Sequence, residues 1–326
     1  MSLLPFEKIK QEVIIKKEED TNLDYGCFPE KRSVEELINY GVVNINKPEG
    51  PTSHQVADYV QRILNLKKSG HGGSLDPGVT GVLPTALGRG TRVVSALLSA
   101  GKEYIGIMHI HKPVEEKIVK KTINEFVGKI TQLPPIKSAV KRQLRQREIY
   151  YFEILEIDKQ DVLFKLGCQA GTYVRKLCHD IGIRLKTGAH MMELVRTKAG
   201  PFKLQDSVTL QELEDAYWYW KNKNNEKLIR TCINKIETAV QHLPKIWLRD
   251  SAVDSICHGA NLNIPGISKL NNNINENDIV ALMTLKDELI ALGIASIKSS
   301  QIVEQEKGFA VKPTQVFMIT GTYPKK

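Results

Sequence analysis

The sequence predicts an α+β protein built on a mixed or antiparallel sheet, with a smaller β-rich module after it. Three observations carry this reading. Strand-like alternations outnumber helical stripes, the two kinds do not follow strict βαβ order, and beyond residue 243 the pattern becomes short strands divided by turns. At 326 residues the chain is long enough for two domains, each burying its own core.

Residues 42–46 read as a short strand. Thr52 opens a helix through a capping-box pattern with Gln55, and Val56, Tyr59, Val60, Ile63 and Leu64 form its apolar stripe. A glycine loop over 70–81 follows, then a helix near 91–99 that stops at Gly101, then an alternating strand over 102–110. Thr122 with Glu125 predicts the start of a further helix with Ile123, Phe126, Val127 and Ile130 on its buried face. Residues 148–158 and 161–170 make a hairpin across Lys159-Gln160. After Gly171-Thr172 a helix runs to about Lys186 on Val174, Leu177, Cys178, Ile181 and Leu185, and 190–197 alternates as a strand. Thr209 with Glu212 starts an aromatic-rich helix that ends near Trp220, and Asn222 to Asn225 mark an exposed connection. The boundary of the terminal module falls near His242-Leu243-Pro244. Within that module, 279–285 and 289–297 pair around Lys286-Asp287-Glu288, and 308–318 adds further strand.

Charge is unevenly spread. The net charge is +9, yet residues 1–40 hold 6 basic against 9 acidic side chains, while 41–203 hold 26 against 14. A positive excess confined to one segment points to a polyanionic substrate there. Five cysteines with no Cys-x-x-Cys pair suggest neither a disulfide framework nor a zinc site, and fit small buried residues in a reducing cytosol. No apolar run reaches membrane-spanning length and the first twenty residues mix Lys with Glu, so a cytoplasmic protein without membrane association is expected.

The richest stretch is Gly73-Ser74-Leu75-Asp76-Pro77-Gly78-Val79-Thr80-Gly81, which sets one carboxylate in a glycine-walled loop. Proline restrains the residue before it, and glycines permit positive φ or close approach of another backbone. Taken alone, an Asp-Pro pair reads as a surface turn before it reads as a catalytic site. Neighbouring patterns supply no competing chemistry. Gly70-His71-Gly72-Gly73 lacks the ending of a phosphate loop, and Ser74 is not in a Gly-x-Ser-x-Gly elbow. His109 and His111 stand two apart on a strand without a carboxylate at metal-binding spacing, so no metal site is assigned.

Six segments in order resemble the motifs of the pseudouridine synthases of the TruB/dyskerin branch. They are Asn46-Lys47-Pro48 with Gly50-Pro51-Thr52-Ser53, the Asp76 loop, Lys102-Glu103-Tyr104, Pro134-Pro135-x-x-Ser138-Ala139, Gly171-Thr172-Tyr173-Val174-Arg175, and Glu193-Leu194 to Gly200-Pro201-Phe202. The terminal module resembles a PUA domain, a small β-barrel-like RNA-binding fold. The resemblance implies a division into an N-terminal extension (1–26), a catalytic domain (27–242) and a PUA domain (243–326). Val140-Lys141-Arg142-x-Leu144-Arg145 and the terminal His258-Gly259-Ala260 are most similar to the archaeal catalytic subunit of the box H/ACA guide-RNA particle.

That likeness implies isomerisation of uridine to its C-glycoside within RNA, with Asp76 starting the reaction either as nucleophile on the sugar or by removing a sugar proton. Enclosure would raise the pKa of Asp76, and Arg175 is the cation expected to offset this. Tyr104 is the expected stacking partner of an extruded base, Tyr173 and Leu194 the pocket wall, and His71 a helper in placing the flipped base. Lys137, Lys141, Arg142, Arg145 and Arg147 form a run without an acid, read as phosphate contacts, and Gly259 and Ala260 as a point where the PUA module meets RNA. No cofactor is required. The implied partners are a box H/ACA guide RNA, the substrate RNA, two small accessory proteins and a kink-turn-binding ribosomal-type protein. Two other readings remain at this level: a stand-alone enzyme acting on the tRNA T-arm, and an RNA-binding scaffold without activity.

Overall fold

The computed structural model describes residues 2–134 and 141–325. Among these, seventeen strands form two sheets. The first strand is β1 (Val13–Ile15). A ten-stranded sheet contains β2 (Gly41–Lys47), β3 (Ser69–His71), β4 (Thr80–Leu87), β5 (Lys102–Ile110), β6 (Gly128–Gln132), β7 (Arg145–Asp158), β8 (Asp161–Cys168), β9 (Ala189–Ala199), β10 (Phe202–Lys203) and β11 (Ile233–Lys235). The seven-stranded sheet contains β1 with β12 (Lys245–Leu248), β13 (Leu262–Asn263), β14 (Ile267–Asn271), β15 (Ile279–Met283), β16 (Leu289–Ala295) and β17 (Phe309–Val316).

The large sheet runs β11-β2-β4-β9-β5-β8-β7-β6. Its neighbours are antiparallel except β4 and β9, which pair in parallel through Thr80↔Val195 and Gly81↔Arg196. Such a mixed, mostly antiparallel sheet is the α+β arrangement that the sequence predicts. Strand β9 therefore lies between the strand that leaves the Asp76 loop and the strand that carries Tyr104. Two apolar clusters serve this half. One packs Val56, Val60 and Leu64 of the helix Ser53–Ile63 with Leu213 and Trp220, and the other packs Leu177 and Ile181 of the helix Val174–Arg184 with Met108 and Phe164.

Several predicted elements form for the reasons given. Thr52 and Thr209 both close capping boxes, with Gln55 and Glu212, and Lys159 turns the β7–β8 hairpin at φ 54°. The third proposed box is wrong. The helix runs over Glu116–Asn124, so Thr122 and Ile123 lie buried in its last turn, and Gly128 at φ 101° turns the chain into β6. A Thr-x-x-Glu pattern states that a helix end is possible, and here the buried positions Val119, Thr122 and Ile123 set the helix upstream of it. The segment near 91–99 splits into a 3-10 turn (Gly88–Val93) and a short α-helix (Val94–Ser99). Strand β4 and the helices Val34–Tyr40 and Asp250–Cys257 have no counterpart in the sequence reading. β4 is almost wholly buried, so it lacks the period-two contrast that marks a strand with one solvent face.

The N-terminal segment belongs spatially to the terminal module. β1 pairs with β14 through Val13↔Asn271 to Ile15↔Lys269, and the residues before it reach back over the large sheet, where Lys198 Nζ meets Glu7 Oε1 at 2.8 Å. A third apolar cluster crosses between the sheets, joining Tyr40, Val82 and Leu97 to Trp247, Leu289 and Phe317. No described helix is long and apolar enough to cross a membrane.

Candidate active site

The Asp76 loop links β3 to β4 and is fixed from below by three side chains. Lys47, at the end of β2, donates from Nζ to the carbonyls of Pro48 (2.8 Å), Pro77 (3.0 Å) and Val79 (2.9 Å). Ser53 accepts from Leu75 N–H at 2.7 Å and donates to Leu75 O at 3.1 Å. Arg196 on β9 donates from Nη2 to Gly73 O at 3.0 Å. Two of the loop's glycines are needed for their backbone. Gly73 sits at φ 127°, and at Gly81 (φ 102°) a Cβ would stand 2.3 Å from the Arg196 carbonyl oxygen. The first motif, Asn46 to Ser53, thus acts as a clamp on the second.

Above the clamp lies a cleft of about 460 Å³. Asp76, Tyr104, Tyr173, Arg175 and Leu194 all line it, although they come from four separate stretches of chain. Arg175 is the second residue of the helix Val174–Arg184, and its Nη2 lies 2.5 Å from Asp76 Oδ2. Tyr173 caps that helix and is held by Gln132 of β6, which accepts from its N–H at 3.0 Å and donates to its carbonyl at 3.2 Å. Tyr104 and Leu194 are buried, at 8% and 7% exposure, and present their side chains as wall and floor. The Asp76 side chain differs from expectation, for it is 53% exposed. Its partner Arg175 is exposed too, so the pair meets at the open mouth of the cleft, with the enclosed surface behind it.

Beneath the cleft are buried cations that sequence reasoning missed. Lys102 donates to the carbonyls of Leu97 (2.8 Å) and Ala100 (2.7 Å), and burial, then the Arg196 charge, push its pKa down to about 7. Burial also lowers Lys47 and Arg196, and raises the Tyr104 phenol while the Arg196 charge opposes that rise. The signal for Arg196 was present. It stands two residues beyond Leu194 on an alternating strand, and so faces the same side.

Other expected site residues are placed less centrally. His71 lies on β3 outside the cleft lining, its pKa lowered by burial first and its Nδ1 without a partner among the described residues. Lys137 and the Pro135 to Ala139 part of its motif fall outside the described residues. Lys141 and Arg142 are exposed, Arg145 starts β7, and the Arg147 guanidinium packs against Gly171 at the cleft rim. Gly259 (φ 85°) and Ala260 follow the helix Asp250–Cys257 on an exposed turn. His109 and His111 each have a partner, Asp161 at 2.6 Å and His190 at 2.9 Å, and no group of three or more metal-ligating side chains assembles among the described residues.

Comparison with known proteins follows the same plan along the chain. Residues 61–174 match the TruB family pseudouridylate synthase N-terminal domain, 175–241 the tRNA pseudouridylate synthase B C-terminal domain, 244–317 the PUA domain and 2–57 the DKCLD domain. A protein of Pyrococcus abyssi called a probable tRNA pseudouridine synthase B is 55% identical over 99% of this chain and 97% of its own length. One of Methanopyrus kandleri with the same name is 51% identical over 99% of this chain and 95% of its own. Among solved structures, a chain of a Cbf5-Nop10-Gar1 complex superposes with a TM-score of 0.95 at 52% identity, covering 100% of this chain and 99% of that one. A chain of an H/ACA RNP bound to a substrate RNA containing 2′-deoxyuridine superposes with a TM-score of 0.92 at 51% identity, each chain covered to 99%. Fold and cleft together define an RNA-modifying isomerase, a pseudouridine synthase with an appended PUA domain. The chain belongs to the TruB family of pseudouridylate synthases.

Proposed function

We propose that this chain is the catalytic subunit of a box H/ACA guide-RNA particle and isomerises uridine to pseudouridine in RNA chosen by the guide, with Asp76 as the reacting carboxylate. The observation that carries this is the meeting of Asp76 with Arg175 at 2.5 Å in a cleft walled by Tyr104, Tyr173 and Leu194. They come from four distant parts of the chain, and a site that uses all of them explains their convergence. In this reading the uridine is extruded, its base lies against Tyr104, and its ribose faces Asp76. Asp76 then acts on the sugar as nucleophile or base, the glycosidic bond breaks, the base turns, and C5 bonds to C1′. Arg175 holds the carboxylate in place through its 2.5 Å contact.

The particle assignment rests on the likeness to the chains solved with Nop10 and Gar1 and with H/ACA RNA. Two small accessory proteins, a kink-turn-binding protein and the guide are accordingly its partners. Lys141, Arg142, Arg145 and Arg147 contact phosphates, Gly259 and Ala260 meet the guide, and the work is done in the cytoplasm. The module division stays at 26/27 and 242/243. The second reading is a stand-alone tRNA enzyme, favoured by the name that relatives in Pyrococcus and Methanopyrus carry. Incubating the full chain with unmodified tRNA alone, and separately with guide, accessory proteins and target RNA, decides between them. Product only in the second mixture supports the guided reading, and equal product on tRNA alone replaces it.

A further inference from the structure

We propose that Arg196 is a positioning residue for the reaction, one that sets the Asp76 loop and the Tyr104 strand in mutual register from beneath the cleft. The inference rests on the reading above that Asp76 is the reacting carboxylate.

The backbone of Arg196 is fixed first. It pairs in parallel with Gly81 on one side and antiparallel with Tyr104 on the other, so this one residue lies between the loop-bearing strand and the strand of the stacking ring. No residue larger than glycine fits at Gly81, because a Cβ there would lie 2.3 Å from Arg196 O and 2.8 Å from its N. The β5–β9 pairing also shifts register between Glu103 and Tyr104, beside this point.

The side chain is fixed next. Arg196 is 1% exposed and donates from Nε to Val82 O (2.7 Å), from Nη2 to Gly73 O (3.0 Å) and from Nη1 to Ser74 O (3.4 Å). A rigid planar fork thus ties β4 to the loop two and three residues before Asp76. Among the described residues no carboxylate pairs with it. Burying a cation without a counter-ion is costly, and an apolar side chain of similar volume would fill the space at lower cost. A fold that carries this cost at the floor of its active cleft is using the group for what an apolar side chain cannot do, namely holding three carbonyls at fixed directions. Lys102 flanks the same glycine, its Cε 3.7 Å from the place of a Gly73 Cβ against 3.9 Å for Arg196 Nη1, but its ammonium is already committed to the carbonyls of Leu97 and Ala100. Lys102 therefore cannot substitute for the fork.

The test uses the full chain in whichever RNA mixture supports wild-type turnover. Arg196→Met is compared with wild type for single-turnover pseudouridine formation at saturating RNA, for RNA affinity, and for thermal unfolding. The expected result is a rate lower by about 10²-fold, the scale set by a misplacement of about 1 Å, with affinity within about threefold. A folded variant whose rate stays within about threefold of wild type overturns the proposal, as does a loss of affinity equal to the loss of rate. Should Arg196→Met not fold, Arg196→Lys, which keeps the charge but lacks the planar fork whose three separate nitrogens reach Val82, Gly73 and Ser74, carries the test with the same two outcomes. A wild-type chain that forms no pseudouridine in either mixture refutes the function proposed above, whereas an active wild type beside an equally active variant refutes only the role of Arg196.

Discussion

Buried charge is handled differently at the cleft floor and at the Arg32–Glu237 contact beside the junction between the two sheets. Lys47, Lys102 and Arg196 are 0%, 5% and 1% exposed, and each donates to main-chain carbonyls, with no carboxylate paired to it among the described residues. At the junction one ion pair is matched, while Glu288 is held by neutral donors and Lys286 by the carbonyls of Asn22 and Tyr25. Arg32 meets Glu237 through two bonds of 2.8 Å, Glu237 also accepts from Leu289 N–H at 3.0 Å, and Glu288 accepts from Cys27 N–H at 3.0 Å and Tyr323 O–H at 3.1 Å. Through Glu237 the matched pair ties Arg32 to Leu289 of the terminal sheet. Unmatched cations leave a positive potential under a cleft whose substrate is a polyanion. One cluster holds parts together, and the other prepares a surface for a reaction.

The largest effects are expected where the cleft is opened to chemistry. Asp76→Asn lowers pseudouridine formation by at least about 10³-fold while RNA affinity changes little, whereas Arg175→Ala lowers the rate by about 10²-fold. Product formed by the Asp76→Asn protein at an undiminished rate would remove Asp76 from the reaction altogether. At the junction the effect is on stability. Arg32→Met leaves Glu237 buried without its partner and costs about 3–5 kcal/mol in chemical denaturation, and the double change Arg32→Met with Glu237→Leu recovers much of that loss. If the single change proved neutral, the pair would not be the joint described here.

The last effect concerns Lys102, depends on pH and has a defined sign. Its pKa is about 7 in the folded protein against 10.5 ordinarily, so between these values the unfolded chain binds more protons than the folded one. Wild type should therefore gain stability relative to Lys102→Met as pH rises from 7 toward 10.5, by at most about 1.4 kcal/mol per pH unit. Below pH 7 the burial cost is complete and the difference is flat. A gap between the two proteins that does not change from pH 6 to pH 9 would show that the carbonyl cage keeps Lys102 charged throughout.

Legibility followed the kind of signal each part carries. Helices with a cap and a stripe, such as Ser53–Ile63 and Leu210–Lys223, are written locally and emerged as expected. Strand β4 hid because both its faces are buried, and the helix Glu116–Asn124 was displaced because a local Thr-x-x-Glu pattern outweighed the buried positions upstream. Asp76, Tyr104, Tyr173, Arg175 and Leu194 were expected near one another from their motifs, and all five line one cleft. Lys47 and Gln132 were not assigned roles, because a side chain that bonds to distant backbone leaves no trace in spacing, whereas Arg196 was marked only by its two-residue spacing from Leu194.

By itself the sequence determined the class of fold, the concentration of positive charge on the catalytic half, and which residues carry reactive groups, since composition, periodicity and motif order are properties of the chain. The tertiary structure alone decided that Gly81 and Tyr104 would flank one buried arginine, that the first strand would complete the terminal sheet, and that Asp76 would stand half open at the cleft mouth. These depend on sheet pairings between residues up to 258 positions apart, counting Val13 to Asn271, and such pairings are set by packing and register rather than by any local pattern.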